Sequence, residues 1–126
     1  MVVDRSDFDR AKSAGAQFFK IRDLKPGQNM EVDLLSMDKN TAVSNPKYCI
    51  KDKDYNYRVR LVDDQGVTRI MDINSPAAIG EFVRALYPDG FEGGLKPCKA
   101  TLTRRSERKT TQSELQVVRA GEELVV

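Results

Sequence analysis

Histidine and tryptophan are both absent from this chain of 126 residues, and cysteine occurs only twice. Without histidine there is no Ser-His-Asp or Cys-His nucleophile pair and no HExxH zinc site. No side chain that titrates near neutrality unperturbed remains to move protons. A catalyst is therefore the last reading of this sequence, and a non-catalytic binding module is the first. Cys49 and Cys98 make neither a disulfide framework nor a four-ligand zinc site, and both are expected to behave as small apolar residues. The acidic pairs Asp52/Asp54, Asp63/Asp64 and Glu122/Glu123 fall in three separate places. A metal-dependent nuclease needs converging carboxylates, and these do not converge, so no metal or cofactor is expected. No run of about 18 apolar residues exists to span a membrane. The stretch from Met1 to Arg10 carries charges of both signs and no apolar run of the secretory type, so the expected location is cytoplasmic.

What is present is one domain's worth of chain, 40% hydrophobic and 32% charged. Residues 4–17 show a weak helical pattern, with Phe8, Ala11, Gly15 and Phe18 or Phe19 at three- and four-residue steps. Residues 1–17 are expected to form a short helix or an arm. Lys25-Pro26-Gly27-Gln28 reads as a type II turn, because proline fixes one negative φ and glycine supplies a positive one. A strand is predicted from Asn29 to Met37, with Met30, Val32 and Leu34 inward. A polar connection from Asp38 to Asp54 follows, part of which can extend the first strand or start the second. Tyr55 to Val62 alternates, with Tyr57, Val59 and Leu61 on one face and Arg58 and Arg60 on the other. Asp63-Asp64-Gln65-Gly66 is a hairpin turn, and Val67 to Ile73 returns as a strand.

Ser75 and Pro76 start a helix, Ile79, Phe82, Val83 and Leu86 supply its apolar stripe, and Pro88 to Gly90 ends it. Cys98, Ala100 and Leu102 alternate with polar residues in a fourth strand. Arg104 to Gln112 reads as a polar turn, and Ser113 to Arg119 as a last strand. The predicted domain is 18–120, with 121–126 as a tail. Five strands with one helix between the third and fourth is the order of the OB-fold, a five-stranded, partly open Greek-key barrel. The expected class is accordingly mainly β.

Three pieces of the chain add a resemblance. They are Ile21-Arg22-Asp23-Leu24-Lys25-Pro26-Gly27-Gln28, Arg60-Leu61-Val62-Asp63-Asp64-Gln65-Gly66-Val67-Thr68, and Ser113-Glu114-Leu115-Gln116-Val117. In that order and separation, the chain resembles the OB-fold single-stranded-DNA-binding proteins of the archaeal replication-protein-A type. The resemblance implies binding of single-stranded DNA, with little sequence preference, in DNA replication, recombination or repair. It departs from that family on the third strand, where Val67 to Ile73 lacks the aromatic commonly used for base stacking.

Single strands are held by a basic groove along the phosphates and by flat side chains that take bases. In an OB-fold that groove crosses the second and third strands, between the loops after strands one and four. Positive charge gathers at those places. From Lys96 to Lys109 six cations face the single anion Glu107, a surplus of five in a chain whose net charge is +2. The candidate nucleic-acid-binding residues are Lys47, Tyr48, Lys51, Lys53, Tyr55, Arg58, Arg60, Arg69, Arg104, Arg105, Arg108 and Lys109. Tyr48 is the first choice for stacking, because Tyr55 and Tyr57 share parity with the inward Val59 and Leu61. Of Phe18 and Phe19, adjacent in sequence, one is expected in the core and the other free to stack or meet a partner. Two further readings stay open. One is a protein-interaction OB domain or accessory subunit of a replication or RNA-processing complex, docking through Phe8 to Phe19. The other is an RNA-binding OB module, since nothing here separates DNA from RNA.

Overall fold

The computed structural model describes residues 17–105 and 114–124. In chain order its elements are β1 (Gln17–Phe18), β2 (Asn29–Asn40), β3 (Asn56–Val62), β4 (Thr68–Ile73), α1 (Pro76–Leu86), β5 (Cys98–Arg104) and β6 (Leu115–Glu123). Single 3-10 turns lie at Ile21–Asp23, Pro46–Tyr48 and Phe91–Gly93. The architecture is mainly β, and the helix falls between β4 and β5 where the periodicity predicts it. The sheet differs from the expected five-stranded barrel. Six strands form one sheet in the order β1-β4-β3-β2-β5-β6, and among the described residues it does not close. The additional strand is Gln17–Phe18, paired in parallel with Arg69 and Ile70. Phe19 N extends that ladder by donating to the Ile70 carbonyl at 2.8 Å. The rest of the helix or arm expected over residues 1–17 lies outside the described residues.

β2 is long enough to serve two partners. Asn29–Leu34 pairs with β5, and Asp33–Asn40 pairs with β3. The register slips between Leu34 and Ser36, a bulge that adds one residue and bends the strand. The bulge also resets the alternation: Met30, Val32 and Leu34 face the core, and then Met37 does. Pairing with Arg58, Tyr57 and Asn56 carries β2 through Asp38, Lys39 and Asn40, three residues beyond the predicted end. The connection to β3 is correspondingly shorter.

Both predicted turns form. Gln28 N donates to the Lys25 carbonyl at 2.9 Å, with Gly27 at φ +75°. In the β3–β4 hairpin, Asp63 Oδ1 accepts from the backbone of Gln65 and of Val67, each at 2.9 Å, and Gly66 sits at φ +76°. An L side chain at that φ is strained, which is why glycine stands there.

α1 buries Ala78, Phe82, Ala85 and Leu86 over the core strands, whereas Ile79 and Val83 are only partly buried. The apolar stripe is rotated from the predicted one, with Ala78 and Ala85 inside in place of Ile79 and Val83. Glu81 is also buried on this helix. Its Oε1 accepts from Val117 N and from Arg105 Nη2, each at 3.2 Å, and its other oxygen pairs with Arg84. One carboxylate thus ties α1 to β6 and to the end of β5, and the hydrogen bonds offset the cost of burying it.

Arg104 was expected to open a polar turn, and it is instead the last residue of β5. Arg105 N continues the hairpin by donating to the Glu114 carbonyl at 2.8 Å. β6 runs on through Glu123, opposite Cys98, so the strand continues past Gly121, where a tail was expected to begin. Leu124 N then donates to the Pro97 carbonyl at 2.9 Å. No helix among the described residues is long and apolar enough to cross a membrane.

Cys49 and Cys98 are both free thiols. Cys98 is fully buried, its Sγ donates to the Ala85 carbonyl at 3.5 Å, and burial pushes its thiol pKa up. Maleimide at neutral pH should therefore label Cys49 first, with Cys98 reacting only after unfolding. Mass spectrometry of a timed labelling series reads this directly, and equal rates at the two sites would contradict the packing of β5 under α1.

Candidate nucleic-acid interface

The outer face of β3 is polar by alternation. Val59 and Leu61 point to the core, leaving Asn56, Arg58 and Arg60 on the opposite face. The hairpin register places Arg58 opposite Asp72 and Arg60 opposite Ile70. Arg58 Nε and Nη2 donate to the two Asp72 oxygens at 2.8 and 3.1 Å, a bidentate pair. The Asp72 carboxylate raises the Arg58 pKa further, against a smaller opposing effect of burial, so the guanidinium remains charged.

β1 brings the next component. Its pairing sends Phe19 into the core at 3% exposure and leaves Phe18 on the outer face at 58%. The Arg58 guanidinium lies 5.6 Å from the Phe18 ring centroid, within cation–π range. One phenylalanine buried and its neighbour presented is the division that adjacency in an extended segment predicts.

The third component is the connection between β2 and β3. Asn56 is buried and paired with Asn40, whose Nδ2 donates to Asn56 Oδ1 at 2.9 Å. Asn56 Nδ2 in turn donates to the Tyr48 carbonyl at 3.1 Å. Asn74 Nδ2 reaches the carbonyls of Lys47 and Cys49 at 3.2 and 3.3 Å. Asn45 Oδ1 accepts from Lys47 N at 3.0 Å, and Pro46 starts the 3-10 turn. Three asparagines therefore hold the backbone around Tyr48 while its ring stays 56% exposed.

Phe18, Arg58, Asp72 and Tyr48 line one cleft of about 650 Å³. Its other walls include Lys20 and Arg22 from the segment after β1, and Ala42 and Val43 from the β2–β3 connection. Lys20, Arg22 and Arg58 are its cations, and Asp72 is its single anion. Exposed aromatic faces, an ordered guanidinium and a cationic surplus meet in one place. Such a surface suits a flat, hydrogen-bonding ring on an anionic backbone.

The other predicted residues are distributed differently. Lys47 lies beside the cleft, with Nζ 5.8 Å from the Tyr48 ring centroid. Lys51 and Lys53 are exposed on the tight turn that precedes β3, where Asp52 adopts φ +66°. Arg60 shares the face of Arg58 without lining the cleft. Tyr55 is half-buried, edge-on to Tyr57 at 5.9 Å, and Lys39 Nζ sits 4.1 Å over its ring. Arg69 Nη1 donates to Gln17 Oε1 at 2.7 Å, and its guanidinium lies 5.7 Å from the buried Phe19. Arg104 is only 8% exposed, and its Nη1 donates to the Leu24 carbonyl at 3.1 Å. That guanidinium supports the Leu24 to Gly27 turn. Arg105 is exposed and paired with Glu81. Arg108 and Lys109 lie outside the described residues.

Lys20, Arg22, Asn40, Asp72 and Asn74 were not among the predicted site residues. For Asp72 the signal was incomplete, because a simple turn at Asp63 to Gly66 would set Met71 opposite Arg58, and the extra residue at Gly66 shifts the partner to Asp72. The asparagines gave none, since their role depends on how the connection folds back. Among the described residues, no three His, Cys, Asp or Glu side chains are grouped to hold a metal ion. Compared with protein-family models, with curated proteins and with solved structures, the chain matches none.

Proposed function

We propose that this protein is an OB-type domain that binds single-stranded DNA without catalysis and with little sequence preference, in replication, recombination or repair. The observation that carries the reading is the cleft in which exposed Phe18 and Tyr48 flank the Arg58–Asp72 pair. Its position supports the same reading. Counting from β2, it lies on the second and third strands and under the connection after the first, the region where OB-folds take oligonucleotides. The strand order β4-β3-β2-β5-β6, the long bulged β2 and the helix before β5 agree with an OB arrangement whose β4 edge is occupied by β1.

In this mechanism Lys20, Arg22, Lys47, Lys51, Lys53 and Arg60 draw in the phosphates, and Phe18 and Tyr48 stack bases. Neutralising phosphates releases counterions, so log K should fall linearly with log salt, by about 0.7 per phosphate contacted on a single strand. Fluorescence anisotropy with labelled strands of about 20–30 nucleotides tests this, since one OB-fold covers about 4–16. Competition by single-stranded DNA, duplex DNA and RNA is measured at two salt concentrations. The expected result is salt-sensitive binding that prefers the single strand over the duplex. Affinity that hardly changes with salt, or no binding at low salt, would overturn the reading. Equal competition by RNA moves the substrate to single strands of either sugar.

A further inference from the structure

We infer that the cleft accepts one nucleobase, favouring guanine, and that Arg58 reads the base edge instead of clamping a phosphate. The inference rests on the single-strand reading above and specifies what sits in that site. An arginine offers five N–H donors in a rigid plane. Asp72 takes the donors of Nε and one of Nη2, which sets the orientation of that plane. The Nη1 group and the second Nη2 hydrogen form the opposite fork, two parallel donors about as far apart as two acceptors on one base edge. Guanine presents such a pair in O6 and N7, and arginine bidentate to that edge is the commonest specific contact to a base.

Charge and surroundings favour the base over a phosphate. The Asp72 carboxylate lies against Arg58 and repels any anion that approaches the same guanidinium. Phe18, Ala42, Val43, Tyr48 and Met71 supply apolar surface in the same cleft, beside the cations Lys20 and Arg22. A phosphate is taken by Lys20 and Arg22 without meeting Asp72, whereas a planar base buries its faces on Phe18 or Tyr48 and offers its polar edge to Arg58. The lysines at positions 47, 51 and 53 are exposed and better placed for phosphates. The domain is then sequence-tolerant along most of the strand, with one position that prefers guanine.

The test uses the full chain and two labelled strands, one all thymine and one with isolated guanines every third position, in salt titrations. The unmodified protein is expected to bind the guanine-bearing strand about tenfold tighter, the value of one good bidentate contact. Arg58→Lys keeps the charge and removes the fork. It should erase the preference while leaving the salt slope unchanged. Asp72→Asn frees the guanidinium from its anion and should also reduce the preference, since the fork loses its orientation. A phosphate clamp would behave oppositely: Asp72→Asn would tighten all-thymine binding and steepen the slope by about 0.7. The absence of a guanine preference in the unmodified protein, with salt-sensitive binding intact, overturns this inference alone. No binding to either strand overturns it together with the single-strand reading.

Discussion

Replacing Phe18 and Tyr48 together by alanine should weaken single-strand binding at least about thirtyfold, since each stacked base contributes about 1–3 kcal/mol by alanine substitution. The two rings are the exposed aromatics of the cleft, and neither is part of the core, so the folded state survives their removal. Phe18→Ala also uncovers the guanidinium of Arg58, which loses its ring contact at 5.6 Å. The salt slope should stay constant in the double variant, because no phosphate contact is removed. A control comes from Phe91, which is 69% exposed but does not line the cleft. Phe91→Ala should leave the dissociation constant unchanged. If it weakens binding as much as the double variant does, general surface hydrophobicity and not the cleft carries affinity.

That experiment depends on features of unequal legibility in the sequence. The strands and turn of the β3–β4 hairpin were legible, because alternation of Tyr57, Val59 and Leu61 with arginines sets the faces and Gly66 sets the turn. The register was not: a simple turn at 63–66 pairs Arg58 with Met71, and only the extra residue at Gly66, with Asp63 N bonded to the Val67 carbonyl, shifts the ladder so that Arg58 meets Asp72. Phe18 was half legible: adjacency said that one of two phenylalanines is inside, and only the parallel pairing of β1 with β4 decided which. The extent of β2 was less legible. Its last three residues are polar and look like loop, and only the facing residues of β3 make them strand. Arg104 shows the limit of charge counting. A run of cations marks a surface only if each side chain is outside, and the turn at Leu24 to Gly27 claims this one. Likewise, Asn56 and Asn74 hold the backbone around Tyr48 through carbonyls distant in sequence, which no local pattern encodes.

Phe82→Ala should cost about 3–5 kcal/mol, the usual range for truncating a buried phenylalanine, and Val83→Ala under about 1 kcal/mol. The two residues are neighbours on α1, and a periodicity argument places both in the apolar stripe. In the fold Phe82 is fully buried over the sheet, while Val83 is only partly covered. Truncating Phe82 leaves a cavity that neighbours fill incompletely, so the loss exceeds the transfer free energy of the ring alone. Against a total stability of about 5–15 kcal/mol, it should lower the melting temperature by about 10–20 °C. Urea unfolding followed by circular dichroism measures both variants. No residue of α1 lines the cleft, so Phe82→Ala, measured below its lowered melting temperature, should bind strands with unchanged affinity. Equal costs at 82 and 83 would mean that α1 is rotated about its axis from the position described. A weakened dissociation constant in the folded variant would instead couple the helix to the cleft, through Met71 and Ile73 on the inner face of β4.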